Sequence, residues 1–167
     1  MSDSNKITIV FPMAGEGSRF DYEFKPFLKI GDQTFIEHAV EPFYKWEKYI
    51  DRICFIFRAD QEERHNVSKY LSENIDMPAS KIESCIISEK TSGPLETVVE
   101  GLKNQNVKSV IVCDCDHRIN VDQLFKKIEE VKFKKTVIPV WSIDKSESHN
   151  WSKLIIDNTE IINIVEK

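Results

Sequence analysis

The sequence has no long apolar run and no excess of positive charge. No segment approaches the roughly 20 consecutive apolar residues that a membrane-spanning helix needs. Residues 1–6 contain no apolar signal-peptide core. The 23 lysines and arginines are outnumbered by 28 acidic residues, and the net charge of −5 argues against a surface that coats nucleic acid. We therefore expect a cytoplasmic protein that neither enters a membrane nor binds nucleic acid.

Cysteine is scarce, and its spacing matches no metal or redox motif. The four cysteines, Cys54, Cys85, Cys113 and Cys115, all lie in apolar β-like runs, which is typical of reduced core residues. Cys113-x-Cys115 lacks the two-residue gap of a zinc or redox pair. The sequence also lacks the Gly-x-x-x-x-Gly-Lys-(Ser/Thr) pattern of P-loop enzymes. Since it has no repeat, low-complexity segment or linker, we expect a single domain over residues 1–167.

Apolar periodicity predicts alternating strands and helices along the chain. Strands are expected at 6–11, 53–57, 82–87, 107–113, 136–141, 151–156 and 161–165, and helices at 36–46, 61–71, 95–102 and 121–131. The continuous apolar run at 107–113 is typical of a central, buried strand. The alternation predicts an α/β fold, a Rossmann-like and mostly parallel sheet with helices on both faces. In such a sheet, ligands bind outside the carboxyl ends of the strands.

A glycine loop follows the first predicted strand. Gly15 and Gly17 allow backbone N–H groups to face an anion, because no Cβ blocks the approach. Arg19 and Lys25 follow and supply the positive charge that a polyphosphate needs. A tight turn from strand to helix would also use glycines, but it would not require these two basic side chains.

Two carboxylates follow the predicted buried strand at 107–113. Asp114 and Asp116 lie two positions apart, and carboxylate oxygens are the ligands that Mg²⁺ prefers. The same two residues would also serve as turn or cap residues. His117 comes next, and a lone histidine after a strand is more often exposed to solvent than part of a site. A magnesium site at this strand end is therefore one of two interpretations of the segment.

The segment Gly15-Glu16-Gly17-Ser18-Arg19, followed by Lys25-Pro26, resembles the signature of nucleotidyltransferases that activate sugar phosphates. The pattern of that family is Gly-x-Gly-(Ser/Thr)-Arg, a short spacer and Pro-Lys-Pro, and Phe24 replaces the first proline here. The resemblance covers nearly the whole chain and is closest to enzymes of bacterial capsule and surface-polysaccharide pathways. It implies a nucleotide-diphospho-sugar transferase type of fold. It also implies transfer of a nucleoside monophosphate from an NTP to a sugar phosphate, or a similar phosphorylated acceptor, with release of pyrophosphate.

The resemblance also implies roles for individual residues. The expected nucleotide-binding residues are Met13, Ala14, Gly15, Glu16, Gly17, Ser18, Arg19, Ser92 and Gly93. Arg19 and Lys25 are the expected catalytic residues. Asp116 is the first choice as the Mg²⁺ ligand, because residues 122–124 fall where the family has its next helix, and Asp114 is the second choice.

Some of these assignments have a plain structural alternative. Gly93 would let the backbone approach a nucleobase, but a glycine turn also suits the start of a helix at Pro94. Glu166 and Lys167 match a pair that contacts the acceptor in the family, although a terminal Glu-Lys also occurs on many surfaces.

Two other functions stay open on the sequence. A GT-A-type glycosyltransferase would share the sheet and an Asp-x-Asp after a central strand, but it does not need a Gly-x-Gly-Ser-Arg loop followed by a lysine. A non-catalytic nucleotide-binding module would fit a chain that ends at Lys167, since the resemblance implies further strands that complete the acceptor pocket. The strand at 161–165 would then lie near an unfinished sheet edge, which favours pairing with a second copy of the chain. The sequence does not specify which nucleobase or which acceptor the protein would use.

Overall fold

The computed structural model describes residues 6–131, 136–140, 142, 152–157 and 160–165, apart from the side chains of Arg19 and Glu160. The chain forms two compact units, residues 1–135 and 136–167. Among the residues that the structure describes, no helix is long and apolar enough to span a membrane.

The first unit is built on a parallel sheet of four strands. Its strands are β1 (Ile7–Pro12), β4 (Ile50–Arg58), β5 (Ile82–Ile87) and β6 (Val110–Val112), and a separate antiparallel pair consists of β2 (Lys29–Ile30) and β3 (Gln33–Thr34). The order in the sheet is β5-β4-β1-β6, and every neighbouring pair is parallel. The predicted parallel α/β fold is confirmed.

In the described part of the chain, five α-helices and several 3₁₀ segments lie between or after these strands. The α-helices are α1 (Phe35–Val40), α2 (Ala59–His65), α3 (Val67–Asn74), α4 (Pro94–Leu102) and α5 (Val121–Glu130), and the 3₁₀ segments are Ser18–Phe20, Lys25–Phe27, Glu41–Tyr49 and Ala79–Lys81. The single helix predicted at 61–71 is two helices, because Asn66 adopts a left-handed conformation with φ 49°. Asn120 caps α5 by accepting a hydrogen bond from the N–H of Asp122 at 3.1 Å.

Helices cover both faces of this sheet because side chains alternate along each strand. On one face, Phe11 stacks on Phe55 with ring centroids 5.6 Å apart, and Phe43 packs edge-on against Phe11. On the opposite face, Val10 and Val98 belong to a buried cluster that ties α4 to the strands. The sheet is therefore packed on both faces below the edge where the candidate site begins.

The last strand of the sheet differs from its prediction. Only Val110–Val112 is a strand, rather than the whole run 107–113. β6 lies at the end of the strand order, and Val110 and Val112 are 45% and 52% exposed. Within the described residues, β1 is its one strand partner, so β6 is an edge strand of this sheet and not the central, buried strand that was predicted.

The cysteines divide into two pairs. Cys54 of β4 and Cys85 of β5 form a disulfide, contrary to the expected reduced thiols, because these neighbouring strands place both side chains in one cluster. Cys113 and Cys115 are free and buried. Burial and neighbouring carboxylates raise the pKa of each thiol to about 12. Both thiols therefore stay protonated at neutral pH, which agrees with assigning them no chemistry.

The second unit contains an antiparallel hairpin of β7 (Lys153–Asp157) and β8 (Glu160–Val165). This confirms the two strands predicted at 151–156 and 161–165, with boundaries shifted by one or two residues. Residues 136–140 form no strand, whereas a strand was predicted at 136–141, and Trp141 lies outside the described residues.

Candidate active site

The glycine loop begins where β1 ends, at the carboxyl edge of the sheet. The N–H of Met13 donates to the carbonyl of Ile56 at 2.7 Å, which extends the pairing of β1 with β4 up to the loop. Gly17 has φ 65°, and a Cβ there would overlap the carbonyl oxygen of Glu23. Its own carbonyl accepts from the N–H of Tyr22 at 3.1 Å. The fold itself therefore requires glycine at position 17.

The side chains of three other predicted loop residues, Met13, Ala14 and Glu16, are buried or paired with another residue. Met13 and Ala14 are buried, so their side chains belong to the core. The Glu16 carboxylate forms an ion pair with Lys90 at 2.9 Å. Around Gly15, a Cβ would meet nothing within 4 Å, so this part of the loop borders open space.

Two side chains that the sequence analysis missed contact the loop from the β4–α2 junction. Arg58 donates from Nη1 to the carbonyl of Ala14 at 2.6 Å. Gln61 donates from Nε2 to the carbonyl of Gly15 at 2.9 Å. No sequence motif marked these residues, because an arginine and a glutamine at the start of a helix occur in many proteins.

The central contact of the site joins Lys25 to Asp116. Lys25 begins a 3₁₀ segment after the glycine loop, and Asp116 follows β6, the strand beside β1. The Lys25 ammonium forms an ion pair with the Asp116 carboxylate, and the two side chains are 25% and 21% exposed. The Lys25 Nζ also lies 5.2 Å from the ring centroid of Phe20. The structure thus brings the predicted catalytic lysine and the first-choice metal ligand together.

Asp114 and His117 lie beside this pair. The Nδ1 atom of His117 lies 3.1 Å from an oxygen of Asp114 and 3.5 Å from an oxygen of Asp116. Ligand atoms of the three side chains lie within 4.8 Å of one another. His117 is half-exposed yet contacts both carboxylates, so it belongs to the cluster rather than to the bare surface. Two converging carboxylates are a donor set that fits a hard divalent cation such as Mg²⁺.

The predicted base-contacting segment precedes α4. The N–H and hydroxyl of Ser92 both donate to the Glu96 carboxylate, at 2.5 and 2.6 Å. These hydrogen bonds lower the pKa of Glu96. Gly93 is extended, with φ 177°, a conformation open to any residue, and a Cβ there would meet nothing within 4 Å. The start of α4 therefore does not require a glycine at position 93.

The remaining predicted residues cannot be placed in the site. Glu166 and Lys167 lie outside the described residues, as does the side chain of Arg19. Ser18 is exposed at the start of a short 3₁₀ segment.

Comparison with solved structures identifies the fold. A nucleoside-diphosphate-sugar pyrophosphorylase from Vibrio cholerae RC9 is 22% identical with a TM-score of 0.62, covering 95% of this chain and 66% of its own. UDP-glucose pyrophosphorylase in complex with UDP-glucose is 18% identical with a TM-score of 0.71, covering 97% and 69%. A 4-diphosphocytidyl-2C-methyl-D-erythritol synthase from Anaerococcus prevotii is 23% identical with a TM-score of 0.59, covering 96% and 63%.

At these identities the likeness concerns the fold, and the chain spans about two thirds of the length of these structures. No curated protein matches the chain. The MobA-like NTP transferase domain family matches residues 9–155, a range that includes the glycine loop, Lys25 and Asp116. The chain therefore belongs to the family of MobA-like NTP transferase domains.

Proposed function

We propose that the protein transfers a nucleoside monophosphate from an NTP to a sugar phosphate or a similar phosphorylated acceptor. The observation that carries this proposal is the Lys25–Asp116 contact beside the glycine loop. A cation, a carboxylate and the glycine loop lie there at the sheet edge where ligands of α/β folds bind. Membership of an NTP transferase family supports the same chemistry.

The reaction needs charge neutralisation more than covalent help from the protein. An oxygen of the acceptor phosphate attacks the α-phosphorus of the NTP, and the bond from that phosphorus to the bridging oxygen breaks, so pyrophosphate leaves. Both reacting groups are negative, so alignment and neutralisation provide most of the catalysis. The backbone N–H groups of residues 15–18 would hold the β- and γ-phosphates. Arg19 would stabilise the departing pyrophosphate, and Lys25 would contact the α-phosphate.

We propose that Asp116, with Asp114 as the second choice, holds Mg²⁺. A bound Mg²⁺ would neutralise part of the phosphate charge during transfer. Lys25 is paired with Asp116. This contact keeps the ammonium close to the carboxylate edge, where a bound phosphate would compete for it.

The pathway and the cellular location are also part of this proposal. The likeness of residues 15–26 to enzymes of nucleotide-sugar and surface-polysaccharide synthesis supports that pathway, and the proposed location is the cytoplasm. Disulfides are rare in the reducing cytoplasm, so the Cys54–Cys85 bond weighs against that location. Pairing with a second copy of the chain stays a prediction.

A screen for pyrophosphate release tests the proposal. ATP, GTP, CTP, UTP and dTTP would each be combined with a panel of sugar phosphates and other phosphorylated small molecules, with and without Mg²⁺. We expect release that depends on both the acceptor and Mg²⁺. Calorimetry with each NTP distinguishes a protein that binds nucleotide without turnover from a protein that does not bind nucleotide. If no NTP·Mg²⁺ complex binds, the proposed function is wrong.

Replacing Gly93 with alanine tests the base-contacting segment. We expect unfolding stability to stay within about 1 kcal/mol of wild type, because the site is open and extended. We expect NTP to bind more weakly, because the added methyl group would separate the base from the backbone. Inorganic triphosphate serves as the control ligand, and its affinity should not change. Unchanged NTP affinity would remove Gly93 from the nucleotide site.

A further inference from the structure

Two side chains donate hydrogen bonds to consecutive carbonyls of the glycine loop. Arg58 Nη1 donates to Ala14, and Gln61 Nε2 donates to Gly15, at 2.6 and 2.9 Å. Both side chains are sheltered from solvent, with Gln61 5% exposed and the Arg58 side chain 13% exposed. Sheltered hydrogen bonds of this kind hold their geometry better than those of free surface side chains.

The donors are themselves fixed in orientation. Arg58 donates from Nε and Nη2 to the two oxygens of Asp60, at 2.7 and 2.9 Å. These hydrogen bonds raise the pKa of Arg58 and lower that of Asp60. The Gln61 Oε1 atom accepts from the backbone N–H of Arg58 at 2.8 Å, so its amide nitrogen is directed at Gly15.

The direction of these carbonyls determines the direction of the next N–H groups. In a trans peptide, the C=O and the N–H lie in one plane and point in opposite directions, and the described residues contain no cis peptide bond. With the carbonyls of Ala14 and Gly15 held toward Arg58 and Gln61, the N–H groups of Gly15 and Glu16 point the other way. Glycine would otherwise permit this peptide to rotate between orientations.

We infer that Arg58 and Gln61 are positioning residues that aim the N–H groups of Gly15 and Glu16 at the bound triphosphate. This inference rests on the proposed function. Donors that are oriented before the ligand arrives need no reorganisation when it binds, which increases affinity. An unsupported loop would have to be ordered by the ligand itself.

Gln61→Glu tests the role of the amide donor. Glutamate has the same shape and still accepts from the N–H of Arg58, but an ionised carboxylate cannot donate to Gly15. We expect the affinity for NTP·Mg²⁺ at pH 8 to fall roughly 10- to 100-fold, since small misplacements of binding groups have effects of this size. Because position 61 is buried, desolvation raises the pKa of a glutamate there, so toward pH 5.5 a growing share of the carboxyl takes up a proton and can donate again. The ratio of variant to wild-type Kd, measured at each pH by calorimetry, should therefore decrease.

Gln123→Glu is the matched control, because Gln123 is exposed on α5 and the substitution adds the same charge. Its affinity should equal that of wild type at both pH values. Gln61→Met, which has neither donor nor charge, is the second variant if Gln61→Glu unfolds. It should bind weakly at both pH values.

The outcomes separate this inference from the proposed function. If the wild-type protein binds no NTP·Mg²⁺, the proposed function is wrong. If wild type binds and both Gln61 variants bind equally well, the positioning role is wrong and the proposed function stands. A folded Gln61→Glu protein whose affinity deficit is the same at pH 5.5 and pH 8 would also contradict the positioning role.

Discussion

Replacing Lys25 with alanine should lower the turnover of NTP by about 100- to 1,000-fold, the effect typical of losing one donor that stabilises a transition state. Lys25 carries the positive charge nearest to the Asp116 carboxylate at the edge where the glycine loop opens. Its loss should hardly affect folding, because a partly exposed ion pair contributes at most about 1 kcal/mol. Steady-state pyrophosphate release and thermal unfolding measure the two effects separately.

Lys45→Ala is the matched control for this variant. Lys45 also forms an ion pair with an aspartate, Asp122, at 2.6 Å, and both side chains are well exposed. Its removal should leave turnover unchanged. Arg19→Ala should reduce turnover in the same way as Lys25→Ala. Full NTP affinity and a normal rate in both the Arg19 and Lys25 variants would mean that the phosphate-loop assignment is wrong.

Replacing Asp116 with asparagine should remove most of the Mg²⁺ dependence of NTP binding and lower turnover by about 100-fold or more. The expected change in NTP affinity has a different sign with and without Mg²⁺. With Mg²⁺, the variant should bind NTP more weakly than wild type. Without Mg²⁺, it should bind at least as tightly, because a negative charge beside the phosphates is gone and Lys25 has lost its counter-ion. Titration calorimetry under both conditions measures this reversal.

Asp114→Asn is the comparison variant for the metal site, and its effect on the Mg²⁺ dependence should be smaller. Asp114 is 63% exposed and contacts His117, whereas Asp116 is more buried and contacts Lys25. We therefore expect Asp114→Asn to change the Mg²⁺ dependence less than Asp116→Asn. Equal Mg²⁺ dependence in wild type and the Asp116 variant would exclude Asp116 from the metal site.

The local sequence pattern was sufficient to predict most of the strands and helices of the α/β fold. The apolar runs predicted β1 and β4, which are buried along most of their length in a parallel sheet, and also β5, where Cys85 and Ile87 are buried. The proline after Gly93 correctly marked the start of α4. The break between α2 and α3 was not predicted, since a left-handed asparagine does not interrupt the apolar pattern around it.

Burial depends on neighbours that periodicity does not reveal. The run at 107–113 is apolar enough for a central strand, yet β6 has one strand partner among the described residues. The Cys54–Cys85 bond likewise depends on which strands are adjacent and on which face each side chain lies. These features arise from strand order, which local sequence does not encode by itself.

The sequence alone determined the fold class and the chemical types at the site: a glycine loop, two basic residues and two carboxylates. Side-chain chemistry and backbone freedom are properties of single residues and short segments, so they can be read along the chain. Only the tertiary structure placed Lys25 against Asp116, and Arg58 and Gln61 behind the carbonyls of the loop. Such contacts join segments far apart in sequence, because the parallel sheet brings the carboxyl ends of β1, β4 and β6 to one edge.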